Sequence, residues 1–188
     1  MSDLPRPQVN LIGKISGAKH FEYQTIYVKY NFLTGEEWKV VGGVTSGDTF
    51  QSTGMLNQVI PLEHPFDINY ATKSIRGWPK LLVEAWGIDA QGRNSLAGYG
   101  IIGLPIQTGE YNLSIPCWRP RPEFSDTIIG SYPELVYKEV LVSSDSRFAF
   151  KTETTGFINV DVGIFTKDFN LHGVQLQQDD NDEDPLNN

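Results

Sequence analysis

The chain has almost no cysteine, no long apolar run and no excess of basic residues, and each absence excludes a class of protein. A single cysteine, Cys117, excludes an intramolecular disulfide framework and a metal cluster built from several cysteines. No stretch approaches the run of about 20 apolar residues that a membrane-spanning helix needs. Lys and Arg number 15 against 23 Asp and Glu, so the basic field that holds nucleic acid non-specifically is missing.

The remaining composition is that of an ordinary folded domain. Hydrophobic residues make up 39% of the 188 residues, charged residues 20% and aromatic residues 12%. These values exclude an intrinsically disordered chain, a coiled coil and a collagen-like fibre. One domain is the default at this length, and it is large enough to fold without disulfides or metal.

The sequence near either end predicts no targeting or lipid attachment. The opening residues MSDLPRPQVN lack an apolar segment, so we expect no secretory signal. Residue 2 is serine and the chain ends in PLNN, so we expect neither myristoylation nor prenylation. Together with the single thiol, these features favour a cytoplasmic protein.

Alternation of apolar and polar residues, which is the period of a half-buried strand, dominates the chain. It is clear over residues 26–32, 66–70, 111–115 and 158–164, whereas residues 80–88 are nearly all apolar, as in a central strand. Clusters of Gly, Pro and Asp separate these runs. We therefore predict an all-β fold, an antiparallel β-sandwich, with a barrel as the alternative architecture.

Two stretches depart from this alternation. Residues 121–137 carry helix-opening residues before Pro133, and we predict a loop or at most one short helix in a crossover there. Five acids and no base fall in residues 179–188, which leaves 18 acids against 15 bases elsewhere. We therefore divide the chain into an extension at 1–8, a domain at 9–173 and an acidic, disordered tail at 174–188.

A glycine-rich motif has two possible interpretations. Gly98, Gly100 and Gly103 match the dinucleotide-binding pattern G-x-G-x-x-G. That chemistry needs a helix after the motif to hold the pyrophosphate, and the following residues Leu-Pro-Ile-Gln-Thr-Gly cannot begin one. We favour a strand with Gly98 and Gly100 on one face and Tyr99 on the other, open to the close approach of another chain segment.

No pattern of metal ligands or nucleophiles is complete. The acidic run at 180–184 resembles the start of a calcium loop but lacks its glycine and its final glutamate. The three histidines are far apart in the sequence: His20, His64 and His172. Cys117 lies between a proline and a tryptophan and is typical of a packing residue. We therefore expect no cofactor, no metal and no catalytic residue.

Two tryptophans beside prolines stand out. Trp78 and Pro79 directly precede the apolar run 80–88, so we favour a structural corner over an exposed anchor for a protein partner. For Trp118 the two interpretations stay open. Three basic residues surround the first motif and are candidates for contact with lipid headgroups: Lys73, Arg76 and Lys80.

The order of these motifs resembles the B9-domain family of ciliary transition-zone proteins, over residues 9–173. The resemblance rests on the Gly-Trp-Pro motif at 77–79, Gly-Tyr-Gly at 98–100 and Thr-Lys-Asp at 166–168, with Pro-Phe-Asp-Ile at 65–68 before them. It implies a fold like that of C2 domains and no enzymatic activity. It also implies a place in the tectonic-like (Meckel syndrome) complex, with B9 paralogues and transmembrane proteins as partners.

Three functional hypotheses follow, each from a different class. The first is a scaffold of that complex at the basal body and transition zone, needed for ciliogenesis and for gating ciliary membrane proteins. The second is a peripheral lipid-binding module, without a calcium switch because the candidate acids Asp48, Asp89 and Asp145 are isolated. The third is an enzyme, for which no nucleophile–base pair is visible. We expect neither nucleic acid nor a small-molecule substrate as a ligand.

Overall fold

The computed structural model describes residues 5–55, 58–121, 151–174 and 176. These residues contain ten β-strands followed by a 3₁₀ turn at Asn170–His172. The strands are β1 (Gln8–Lys19), β2 (Thr25–Leu33), β3 (Trp38–Gly43), β4 (Ser46–Asp48), β5 (Ser52–Thr53), β6 (Ile60–Thr72), β7 (Lys80–Ile88), β8 (Asn94–Gly103), β9 (Gly109–Pro120) and β10 (Thr152–Lys167). No helix within these ranges has the length and apolar character needed to cross a membrane.

The strands form one curled antiparallel sheet in the order β3-β6-β1-β10-β9-β8-β7-β2-β4, with β5 beside β2. The backbone ladder between strands β8 and β9 consists of a single residue pair, Tyr99 and Trp118. This narrow joint divides the sheet into two halves that enclose one core, to which both halves contribute. The predicted antiparallel sandwich is confirmed. In the described ranges β3 and β4 end the sheet without pairing with each other, so the barrel alternative is not realised.

The predicted alternation produces the core. Along β10, the side chains of Ile158, Val160, Val162 and Ile164 are all buried, and the residues between them face outward. Each buried aliphatic side chain contributes about 1.5–3 kcal/mol relative to an exposed one. The apolar run at 80–88 is β7, which has β8 on one side and β2 on the other.

A β-bulge in β8 decides which of its side chains face the core. The ladder between β8 and β7 shifts register beside Leu96, which leaves Ala97 as the extra residue. Ala97 joins the main core. Leu96 and Tyr99 instead belong to a second, smaller apolar cluster that contains Leu82. Strand β8 therefore carries buried side chains on both of its faces.

Several predictions from the sequence fall outside the described residues. The crossover helix within 121–137 is one of them, except for Arg121, whose backbone N–H donates to the carbonyl of Lys151 at 2.9 Å. The acidic tail beyond Leu176 and the aspartate Asp145 are the others. The division of the chain into extension, domain and tail stays a prediction.

Candidate functional site

Trp78 ties together three segments at one end of the sandwich. Its indole N–H donates to the carbonyl of Pro105 in the β8–β9 loop at 3.1 Å. Its ring meets Trp38 edge-on, with centroids 5.3 Å apart, and lies 6.2 Å from Phe169 after β10. Aromatic pairs in such arrangements stabilise a fold beyond their buried area. In this structure Trp78 is a packing residue, and Pro79 beside it is buried.

The glycine before Trp78 is required by the turn. Gly77 has φ +70°, a conformation that side chains disfavour, and a Cβ there would lie within 2.4 Å of the Cα of Gly35. The two backbones are joined directly, because Gly35 N–H donates to the Gly77 carbonyl at 2.8 Å. The Trp38 indole also donates to the Arg76 carbonyl, at 2.8 Å. The Gly-Trp-Pro motif is thus explained by its local packing.

The three basic candidates surround this packed corner and point to solvent. Lys73 and Arg76 lie on the β6–β7 loop, and Lys80 is the first residue of β7. All three are exposed. None of them forms an ion pair within the described part of the chain. The structure therefore places them at one end of the molecule, with their charges open to a partner.

The glycine face of β8 packs inside the sandwich. A Cβ on Gly100 would lie 2.8 Å from Ile115 Cγ2 and 3.0 Å from both Cys117 Sγ and Val83 Cγ2. A Cβ on Gly98 would lie 2.5 Å from Thr155 Oγ1. Close approach therefore comes from the chain's own side chains. The motif leads into a loop and then β9 rather than a helix, so it cannot hold a dinucleotide phosphate in the usual way.

Tyr99 and Trp118 pack together on the opposite face of this strand. Their rings are 6.1 Å apart at an angle of 60°. Tyr99 is only 1% exposed, and Trp118 is partly buried against the same small cluster. Trp118 thus has a packing role, which the sequence left undecided.

Cys117 is unsuited to nucleophilic chemistry. Its side chain is fully buried in the main core. Burial raises the pKa of its thiol to about 12. Since the thiolate is the reactive form, the group is inert at neutral pH.

The acidic residues considered as metal ligands either form other hydrogen bonds and ion pairs or lie on separate elements. The Asp89 carboxylate accepts backbone N–H bonds from Arg93 at 2.8 Å and Gln91 at 2.9 Å, and it pairs with the Arg93 side chain at 2.7 Å. The backbone bond from Arg93 is the main cause that lowers the pKa of Asp89. Asp48 lies on β4, far along the chain and on another element. Among the described residues no group of three His, Cys, Asp or Glu is placed to hold a metal ion.

The histidines serve separate local contacts. His64 Nε2 lies 3.2 Å from the Tyr30 hydroxyl, and His172 Nε2 lies 2.8 Å from the Pro5 carbonyl. His20 packs edge-on against Phe157 with centroids 6.0 Å apart. They form no common site.

An ion-pair cluster around the buried Arg119 was not predicted from the sequence. Arg119, whose side chain is 7% exposed, pairs with Glu22 at 2.6 Å and with Glu153 at 2.7 Å. The three residues join the β1–β2 loop, β9 and β10 beside a polar cavity of about 400 Å³. Because the partners are 97 and 34 residues away in sequence, no local pattern could have revealed them. The guanidinium donates three hydrogen bonds to these two carboxylates, so the cluster links the three elements.

A shallow apolar groove of about 500 Å³ runs over the outer face of β1, β10 and β9. Ile12 and Phe165, exposed by 47% and 49%, form part of its lining. Neither residue was predicted as a site residue, because alternation in a strand shows which side chains face solvent but not whether those side chains line a groove.

Comparisons with known proteins identify the family. A sequence model of the B9-C2 family, described as "Ciliary basal body-associated, B9 protein", matches residues 9–165. B9 domain-containing protein 2 of Homo sapiens is 32% identical over 172 residues, which cover 89% of this chain and 98% of that protein. B9 domain-containing protein 2 of Drosophila melanogaster is 26% identical, over 90% of this chain and 99% of that protein.

A paralogous group also matches. The sequence motifs alone favoured B9 domain-containing protein 1 as the member most like this chain. The Xenopus laevis protein of that name is 26% identical over 180 residues, which cover 92% of this chain and 90% of that protein. The identity to the human protein 2 is higher, at 32%.

Among solved structures, a C2 domain of plant Extended Synaptotagmin 1 aligns with 87% of this chain and 95% of that domain, at 12% identity and a TM-score of 0.41. With a family match that covers eight of the ten described strands whole and most of β1 and β10, the chain belongs to the B9 domain family of ciliary basal body-associated proteins.

Proposed function

We propose that this chain is a non-enzymatic scaffold component of the tectonic-like (Meckel syndrome) complex at the ciliary transition zone. In this role it is needed for ciliogenesis and for gating the entry of membrane proteins into the cilium. Its partners are other B9-domain paralogues and the membrane proteins of that complex. The scaffold holds these partners through surface contacts and performs no chemistry on them.

The family match over residues 9–165 is the observation that carries this proposal. The likeness to the human B9 domain-containing protein 2 spans 89% of this chain and 98% of that protein. The one cysteine of the chain fits a non-enzymatic role, because Cys117 is buried.

Depletion and rescue in ciliated cells of the source organism test the proposal. Loss of the chain should reduce the number of cilia and deplete membrane proteins from those that form, and re-expression of the wild-type chain should restore both. Normal cilia with normal membrane-protein content after complete depletion would contradict it.

A second candidate function, peripheral binding to anionic membrane, is favoured by the end of the sandwich around Trp78. Three exposed aliphatic residues lie on the loop that carries Trp78, on the β8–β9 loop and on the turn after β10: Ile75, Ile106 and Leu171, exposed by 47%, 49% and 49%. The exposed bases Lys73, Arg76 and Lys80 lie beside them. Exposed aliphatic side chains can insert among the acyl chains of a membrane, while the basic side chains beside them contact the negatively charged lipid headgroups.

Vesicle flotation separates the lipid candidate from a purely protein-binding scaffold. The purified chain should float with phosphatidylcholine vesicles that contain phosphatidylserine and should stay behind with phosphatidylcholine alone. The double variant Lys73→Glu with Arg76→Glu should lose flotation, whereas Lys151→Glu, which makes the same kind of charge reversal outside this end, should keep it. Absence of flotation by the wild-type chain would reject the lipid candidate and leave the scaffold proposal untouched.

A further inference from the structure

The exposed large apolar side chains are concentrated in one stretch of the chain. Eleven such residues occur in the described ranges, and six of them fall between residues 40 and 59. We call residues 40–59 the edge strip; Leu56 and Asn57 lie outside the described residues. Its six apolar members are Val40, Val41, Val44, Phe50, Met55 and Val59, with exposures from 50% to 89%. Scattered exposed apolar residues are normal, whereas a concentration of them in one part of a folded protein is a feature of interaction sites.

The edge strip lies along one side of the sandwich. Strands β3 and β4 are the two ends of the sheet order, yet they are consecutive in the chain and only Val44 and Thr45 connect them. Thr45 is fixed to the second half, because its carbonyl accepts the Phe32 N–H at 2.7 Å. The two strands that end the sheet therefore follow one another end to end, and the edge strip includes parts of both.

The edge strip is nearly uncharged. Its only ionisable residue is Asp48, and no lysine or arginine occurs between Lys39 and Lys73. An anionic bilayer or nucleic acid needs bases to hold it, so neither fits this side of the molecule. Depletion of charge together with exposed aromatic and aliphatic groups is the composition of the central part of a protein–protein interface.

Strand β3 adds a free backbone edge to this surface. One edge of β3 pairs with β6, and no strand lies beside the other within the described ranges. A register shift between Val40 and Gly42 leaves Val40 and Val41 both exposed, by 50% and 57%. Unpaired backbone groups on an edge are complemented by another extended chain, whose side chains then cover the apolar neighbours.

We infer that the edge strip is a docking site for an extended strand of a different protein, which pairs with β3 and lays apolar, neutral or basic side chains over Val41, Val44 and Phe50. The inference deepens the scaffold proposal, because it names the surface through which the scaffold holds a protein partner. The charge argues for a different protein over a second copy, since the strip contains one acid, Asp48, and no base, so the same surface of a second copy could not neutralise it.

A model peptide tests the docking site on the purified full chain. The probe is a fluorescent peptide of alternating valine and threonine with a lysine at each end, titrated by anisotropy and followed by amide hydrogen exchange. We expect saturable binding and exchange in β3 slowed by about tenfold or more at saturation. Val41→Lys and Phe50→Lys should each weaken binding by about fivefold or more, because each removes an apolar contact and adds a like charge.

The matched control is Phe165→Lys, the same substitution as Phe50→Lys at another exposed phenylalanine, on the outer face of β10. It should bind the peptide within about twofold of the wild type. Both phenylalanines are at least about half exposed, so the variants should fold, and equal melting temperatures verify this.

Several results would overturn the inference. One is a lack of peptide binding up to the solubility limit, and another is binding without slowed exchange in β3. Dimerisation of the peptide-free chain that Val41→Lys abolishes would assign the edge strip to a second copy. These outcomes concern purified protein only, so they leave the ciliary proposal standing, just as a failure of ciliary depletion would leave the peptide result standing.

Discussion

Replacing Gly100 by valine forces an isopropyl group into a face of β8 that the core already fills. A Cβ at this position would lie 2.8 Å from Ile115 Cγ2 and 3.0 Å from Cys117 Sγ and Val83 Cγ2. Those distances are shorter than ordinary van der Waals contact. Ile115, Cys117 and Val83 are all fully buried, so none of them can move aside into solvent.

The free energy of unfolding should fall by about 1–2 kcal/mol. Overpacking of a core costs about 1–3 kcal/mol. The substitution also removes a glycine from a strand, where glycine is about 0.5–1 kcal/mol less favourable than a residue with a side chain, and this gain offsets part of the overpacking cost. For a protein of this size the net effect corresponds to a decrease in melting temperature of about 2–8 °C.

Urea unfolding followed by tryptophan fluorescence measures the change, and Gly103→Val in the same strand is the control. A Cβ on Gly103 has nothing within 4 Å, so the valine there should be neutral or slightly stabilising. Cys117→Ala in the Gly100→Val background should restore part of the loss, since it removes the sulfur from the crowded space. Equal stability of Gly100→Val and Gly103→Val would refute the internal packing of the glycine face.

Three further predictions concern polar and ionisable groups. Because burial raises its pKa to about 12, Cys117 should react with a chromogenic disulfide reagent at neutral pH only in denaturant; rapid reaction of the native chain would contradict this. Hydrogen bonds from its own loop lower the pKa of Asp89 in the folded protein below its ordinary value. The stability that the Asp89 carboxylate contributes is therefore fully present above the ordinary pKa and is lost as the pH falls through the lowered pKa. Urea titrations should show a stability gap between the wild type and Asp89→Asn near about pH 6 that closes in acid below about pH 4, and a gap independent of pH would count against the assignment. Glu22→Gln combined with Glu153→Gln removes the two carboxylate charges that pair with the buried Arg119. The double substitution should lower the free energy of unfolding in urea by about 1–3 kcal/mol, a range reduced from that of a fully buried pair because the carboxylates are partly exposed. An unchanged unfolding midpoint would show that the pairs contribute nothing.

The fold could be predicted from the sequence wherever alternation was long and unbroken. The runs at 26–32, 66–70, 111–115 and 158–164 all lie within strands, and the apolar run at 80–88 is β7. The short strands β3, β4 and β5 were not predicted, because two to six residues are too few to show a period. Strand β1 was also missed, since its alternation is interrupted by a register shift between Ile15 and Gly17.

The contacts that define the sites could be predicted only in part. The motif at Gly77 and Trp78 indicated a rigid corner, but the backbone that requires a glycine there belongs to Gly35, which is distant in sequence and could not be predicted. The Arg119 cluster joins residues that only the folded sheet brings together. The edge strip was equally hidden, because an apolar residue in a sequence gives no sign of whether another strand covers it.

Localisation of the chain in ciliated cells tests the central claim most directly. The chain is tagged at its own locus and imaged at high resolution against markers of the basal body and the axoneme. The scaffold proposal predicts a signal confined to the ciliary base, between the two markers, in nearly every ciliated cell. A signal spread through the cytoplasm, or along the whole cilium without enrichment at its base, would contradict it.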